Sequence, residues 1–177
     1  MSEVTIFQNA VAQRLKLLLY TDDVTVGWPA FAGEGRRIYQ PVVDVAIGPY
    51  AIGEFQYIEQ YDSMVKNHQQ LINRWVNSFQ SNWQAVIGDH YWALSPRTPA
   101  SYEDFVGEGA NQNARCFIAI EIENETSRKH LMGSIVNAGA LGRIGILIAW
   151  QPKVLRAAIR MRQYFDFLQR VKKRSFD

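Results

Sequence analysis

Phe117-Ile118-Ala119-Ile120-Glu121-Ile122-Glu123-Asn124 is an isoleucine-rich run interrupted by two acids, and the architecture of the chain builds outward from it. Branched and aromatic residues suit a pleated surface, so residues 115–123 read as a strand. Side chains alternate across a strand, which puts Ile118, Ile120 and Ile122 on one face and Phe117, Ala119, Glu121 and Glu123 on the other. Downstream, Ser127 can cap a helix running to about Leu141 and ended by Gly142. Residues 143–150, again rich in isoleucine, form the next strand. Pro152 then opens a last helix to about residue 174, in the first turn where proline is tolerated. The strand–helix–strand order predicts a parallel unit with a right-handed crossover.

Upstream, Val4, Phe7, Val11, Leu15 and Leu18 recur at helical spacing, so residues 3–20 read as an amphipathic helix stopped by Thr21-Asp22-Asp23. Two strands follow, 24–28 and 38–47, separated by the Gly33-Glu34-Gly35 turn and ended by Gly48-Pro49. From about Glu54 a single long helical stripe is expected: Ile58, Tyr61, Val65, His68, Ile72, Trp75, Phe79, Trp83 and Val86. Its aromatic residues are at core spacing and should pack inward or against another subunit. Residues 95–114 read as loop. The fold class is therefore α/β, a mixed central sheet flanked by helices, with a helical and loop insertion at 54–114 inside one domain spanning 1–177.

The chain has 177 residues with 47% hydrophobic and 20% charged side chains, a balance that excludes disorder and collagen-like repeats. Its longest apolar run, 144–150, is far short of the ~20 residues of a membrane helix. The start lacks a basic and apolar leader, and the lone Cys116 reads as a core thiol; together these predict a cytoplasmic location. Charge is polarised: residues 51–126 hold 4 basic and 10 acidic side chains, whereas 127–177 hold 11 basic and 2 acidic. A basic end beside an acidic middle can bring carboxylates close to a surface that attracts phosphates. Equally, such a helix can simply be solvated.

Glu121 and Glu123 share a face roughly 6–7 Å apart along the strand. Burying either as an ion without a partner costs several kcal/mol, so a divalent cation, basic side chains or open solvent must answer them. Asp44, within Val42-Val43-Asp44-Val45-Ala46-Ile47, is a second anomaly: strand interiors disfavour aspartate, and its short side chain cannot reach out to water. Asp44 is expected to share a face with Val42 and Ala46. Asp44, Glu121 and Glu123 together form an oxygen set suited to Mg²⁺, which needs only one or two protein carboxylates. Ser127-Arg128-Lys129-His130 then places cations in a first helical turn, against the helix dipole, which calls for compensation by Glu123, Glu125 or a bound phosphate. Lys129 is the candidate cation beside an incoming phosphodiester. In the last helix, Arg156, Arg160 and Arg170, with Arg128, are candidates for contacts to a nucleic-acid backbone.

Val43-Asp44 in one strand, then Ile120-Glu121-Ile122-Glu123 in another, followed by a helix and an isoleucine-rich strand, resembles the restriction-endonuclease-like PD-(D/E)xK nuclease superfamily. The resemblance covers mainly residues 38–50 and 115–150. It implies a restriction-endonuclease-like fold and Mg²⁺-dependent hydrolysis of DNA phosphodiesters, with Mn²⁺ as a possible substitute. Asp44 and Glu121 would bind the metal, Glu123 would bind metal or orient the attacking water, and Lys129 would stabilise developing charge. The analogy with the family also implies a homodimer. Glu123 occupies the motif's lysine position, Pro41 stands three residues before Asp44, and the spacing from Asp44 to Glu121 requires the helical insertion to loop out.

Other assignments compete. Glu103-Asp104 is nearer to Glu121 in sequence but reads as loop; Glu3 and Glu34 read as solvated surface. The histidines His68, His90 and His130 lack zinc-ligand spacing. The glycine-rich run 139–145 follows a helix and precedes a strand, the reverse of a dinucleotide loop. Two further functions remain open, a catalytically inactive nuclease-like module for DNA binding or assembly and a small-molecule metal hydrolase.

Overall fold

The computed structural model describes residues 2–30, 41–51, 57–87 and 110–170. Helix α1 (Glu3–Leu19) starts at Ser2, whose hydroxyl accepts the Thr5 N–H at 3.2 Å, and carries Glu3 in the first turn where the dipole favours an acid. It ends at Tyr20 in the left-handed region (φ 51°), with the Thr21 N–H closing on the Lys16 carbonyl. Strands β1 (Val24–Pro29) and β2 (Val42–Ile47) pair antiparallel; the expected start of β2 at 38–40 and the Gly33–Gly35 turn lie outside the described residues.

The single long helix expected from residue 54 is two: α2 (Ile58–Asn67) and α3 (Gln69–Ile87). His68 leaves helical geometry at the junction (φ −108°, ψ 20°), while the N–H groups of Leu71 and Ile72 bond to its carbonyl. The apolar stripe survives the break, since Tyr61, Val65, Ile72 and Val76 are all buried in one core. It fades further along: Trp75 packs at the edge, whereas Phe79 is 40% exposed and so does not pack inward. The side chain of Trp83 is outside the described residues.

Strand β3 (Cys116–Glu123), helix α4 (Arg128–Leu141) and strand β4 (Gly142–Ala149) form the expected parallel unit, and α5 (Pro152–Arg170) follows. The sheet order is β1-β2-β3-β4, antiparallel except for β3 with β4. The protein is thus α/β, a mixed four-stranded sheet flanked by helices. On one face, α1, α2 and α3 bury Leu15, Leu19, Tyr61 and Ile72 against Val45, Ile47, Ile118, Ile120 and Ile122. On the other, Leu131 of α4 and Val154 and Ala158 of α5 pack on Leu147 and Ala149. No described helix is long and apolar enough to cross a membrane.

Strict alternation fails at the start of β3. Phe117 stacks near Tyr61 and joins the α1–α3 core, rather than the face of the glutamates. Cys116 is buried, as its reading required, but beside Ala119 and Trp28. The neighbouring Arg143 is also buried and points to α2, donating to Asp62 and, at 2.8 Å, to the Asn111 carbonyl. The excursion between β2 and β3 is therefore no appendage; it supplies part of the main core and is tied to β4 by charge.

Helix α4 seats closely on the sheet because Gly145 has no side chain: a Cβ there would lie 2.6 Å from the Ala138 carbonyl oxygen. Gly133, on the same helix, has open space. Gly145→Ala is expected to destabilise the protein by about 1–3 kcal/mol through overpacking, whereas Gly133→Ala should stabilise by up to ~1 kcal/mol through helix propensity. Urea unfolding of both variants checks this opposition of signs.

Candidate functional site

The pairing of β2 with β3 runs from Ile47–Ile118 to Val45–Ile120 and stops. Beyond it, β2 stays paired with β1 as far as Val42, and β3 with β4 as far as Glu123–Ala149. The central strands therefore part while each keeps its outer neighbour, and the parting opens at Asp44 on one side and Glu121 on the other. Backbone groups that lose a ladder partner need a substitute. Asp44 supplies one, its Oδ2 accepting the Ile122 N–H at 2.7 Å. Its Oδ1 accepts Gln8 Nε2 of α1 at 2.8 Å.

The half-buried Asp44 is thus explained as a strand aspartate: its neighbours are the buried Ala46 and the exposed Val42, and both of its oxygens are engaged. Burial pushes its pKa up, opposed by the bonds from Ile122 and Gln8. Glu121, only 6% exposed, faces α4 and accepts a hydrogen bond from Asn137. Burial chiefly, then the charge of Asp44, lifts its pKa from 4.5 to about 8 despite the Asn137 bond. Glu123, half-buried two residues on, accepts Ser134 Oγ at 3.2 Å on Oε1. Burial raises its pKa too, while Ser134 and the electrostatic influence of His130 oppose the rise.

Two oxygens are left over. Glu121 Oε1 and Glu123 Oε2 are buried without a hydrogen-bond partner among the described residues. Such orphaned acceptors are costly and point to a missing group. All the donors on offer are carboxylate oxygens, a hard set suited to Mg²⁺ or Mn²⁺. No group of three His, Cys, Asp or Glu side chains among the described residues is arranged to hold a metal ion. Mg²⁺ does not require one: it is commonly held by one or two carboxylates, with waters and substrate phosphates completing the shell. The residues present fit that mode.

The cations are arranged differently from expectation. Ser127 occupies the cap position of α4, but its side chain makes no capping bond. Arg128, Lys129 and His130 are all exposed. Lys129 has no ion pair or hydrogen bond to the carboxylates, whereas His130, one turn before Ser134, lies 3.9 Å from Glu125 and acts electrostatically on Glu123. Arg156 and Arg160 lie one turn apart on the exposed side of α5; Arg170 is its last residue, with its side chain outside the described region. Lys172–Arg174, Glu34 and Glu103-Asp104 are also outside it, and Glu3 is exposed. The residues missed by sequence reasoning are Gln8, Ser134 and Asn137. Gln8 was visible as a polar residue set among Val4, Phe7, Val11 and Leu15, and Ser134 and Asn137 as polar positions on the helix face of Leu131 and Ala138.

Comparison with known protein families, with curated proteins and with solved structures gave no match.

The raised pKa of Glu121 has a defined consequence for stability. The unfolded chain releases this proton near pH 4.5 and the folded chain near pH 8, so metal-free stability should fall as pH rises through that window. Glu121→Gln removes this contribution. In EDTA it is expected to raise the thermal midpoint by several degrees at pH 8 and to change it little at pH 4.5, as measured by thermal melts across that range.

Proposed function

We propose that this protein is a metal-dependent nuclease that hydrolyses DNA phosphodiester bonds, of the restriction-endonuclease-like PD-(D/E)xK kind, with Mg²⁺ as cofactor and Mn²⁺ as substitute. The observation that carries the reading is the pair of buried carboxylate oxygens, on Glu121 and Glu123, left without a partner next to the point where β2 and β3 part at Asp44. Glu121, through its unpartnered oxygen, and Asp44 would hold the ion, with Glu123 either joining them or orienting the attacking water. When bound, the ion supplies Lewis-acid polarisation of a phosphodiester oxygen and offsets the mutual repulsion of the carboxylates.

The chain's own groups do the rest. Asp44 is held from two sides, by Gln8 and by the Ile122 N–H, and so presents a fixed charge. Glu123, engaged by Ser134 through one oxygen, has the other with which to orient an attacking water and take its proton. The new bond joins water oxygen to phosphorus as the bond to the leaving deoxyribose oxygen breaks, and that oxygen takes its proton from solvent water. Lys129, with Arg128 beside it at the start of α4, would supply positive charge to stabilise the negative charge that develops. Arg156, Arg160 and Arg170 on α5 would contact the nucleic-acid backbone, which positions without reading sequence.

Plasmid and single-stranded DNA are to be incubated with Mg²⁺, Mn²⁺ or EDTA. Wild type is expected to cleave only with metal, and Asp44→Ala or Glu121→Ala to lose at least about 100-fold in rate. Undiminished cleavage by both variants would sink the assignment. A nucleic-acid-binding module without catalysis is the second reading, favoured by the lack of a three-ligand cluster among the described residues. It predicts DNA binding that weakens steeply with salt, with no cleavage under any metal condition.

A further inference from the structure

The three carboxylates receive their protein donors from opposite sides of the sheet. Ser134 and Asn137 reach Glu123 and Glu121 from α4, while Gln8 reaches Asp44 from α1, in the layer across the sheet. Gln8 therefore passes its hydrogen bond into the gap where β2 and β3 have separated. Its place there is fixed by packing: the adjacent Phe7 sits edge-on to Trp150 with ring centroids 4.8 Å apart, and the Trp150 N–H bonds the Glu123 carbonyl at 2.9 Å. The same turn of α1 thus touches the end of β4, next to the strand carrying the glutamates, and the side chain of Asp44.

We infer that Gln8 is a positioning residue of the carboxylate site, holding Asp44 in the orientation that the cation and its phosphodiester require. This rests on the nuclease reading above. Of the two donors on Asp44, the Ile122 N–H is backbone and common to any aspartate at this place in the sheet; Gln8 is the side chain that sequence can vary. A carboxylate held on Oδ2 alone can swing about that bond, whereas one held on both oxygens cannot. Groups that orient metal ligands through hydrogen bonds typically contribute 10- to 100-fold to metal affinity or activity. Gln8 is suited to this role because its amide donates without adding charge, leaving the negative potential of the site intact for a cation.

The test compares wild type, Gln8→Leu and Asp44→Ala. Leucine keeps a similar volume at position 8 and removes the donor. Mn²⁺ binding without DNA is measured by calorimetry, and cleavage is resolved into kcat and KM. Circular dichroism and thermal melts in EDTA establish that each variant folds. Gln8→Leu is expected to weaken Mn²⁺ binding roughly 10-fold or more and to lower kcat with KM for DNA little changed. A purely structural Gln8 would instead lower the thermal midpoint and leave the Mn²⁺ affinity of the folded protein alone. If Gln8→Leu does not fold, Gln8→Met, with a longer apolar chain, replaces it in the same comparison. Wild-type Mn²⁺ affinity and kcat in the position 8 variant, with both lost in Asp44→Ala, would overturn the role of Gln8 and leave the nuclease reading standing. Absence of both Mn²⁺ binding and cleavage in wild type would overturn that reading and this inference with it.

Discussion

The bond from the Ile122 N–H to Asp44 Oδ2 stands at the point where a continuous sheet becomes an open one. Parting two central strands strips backbone groups of their partners, which a buried sheet tolerates only if something else satisfies them. Here a side chain does so. The same substitution turns Asp44 from an aspartate that is out of place in an apolar strand into the element that closes the wound in the ladder. It also determines which residues face the gap, since the paired stretch ends at Val45 and Ile120 and the acids come next.

What surrounds that gap follows from the close seating of the helices. Small residues, Ala138 over Gly145, let α4 settle against the sheet, which brings Ser134 within reach of Glu123 and Asn137 within reach of Glu121. On the opposite face, α1, α2 and α3 bury the isoleucines of β3, and the pull of that core holds α1 where Gln8 meets Asp44. The acids are therefore crowded together by hydrophobic burial elsewhere. Burial raises the pKa values of all three, and repulsion from neighbouring carboxylates adds to the rise at Glu121 and Glu123. Crowding of this sort is common at functional sites, where strain left in the protein is relieved by what it binds.

The break at His68 shows how local periodicity can mislead about continuity. The stripe from Tyr61 to Val76 has helical spacing, and its members Tyr61, Val65, Ile72 and Val76 share one buried core, yet the backbone departs from the helix once at His68. Periodicity reports which residues face the core. It does not report whether one axis serves them all. Phe79 makes the complementary point: it keeps the spacing, yet is 40% exposed.

Alternation along residues 118–123 was enough to place Ile118, Ile120 and Ile122 in the core and to set Glu121 and Glu123 on the other face, because a strand has only two faces. The oddity of Asp44 was equally legible, since an acid within an apolar strand must be answered by something. The parallel pairing of β3 with β4 follows from the strand–helix–strand order, because two parallel strands need a crossover connection between them. What answers those acids was not legible. Gln8 lies 36 residues from Asp44, and Ile122 lies 78 residues from it. Contacts between positions so far apart depend on where two strands separate and how closely a helix settles. Those are set by packing summed over the whole core, and only the tertiary structure decides them.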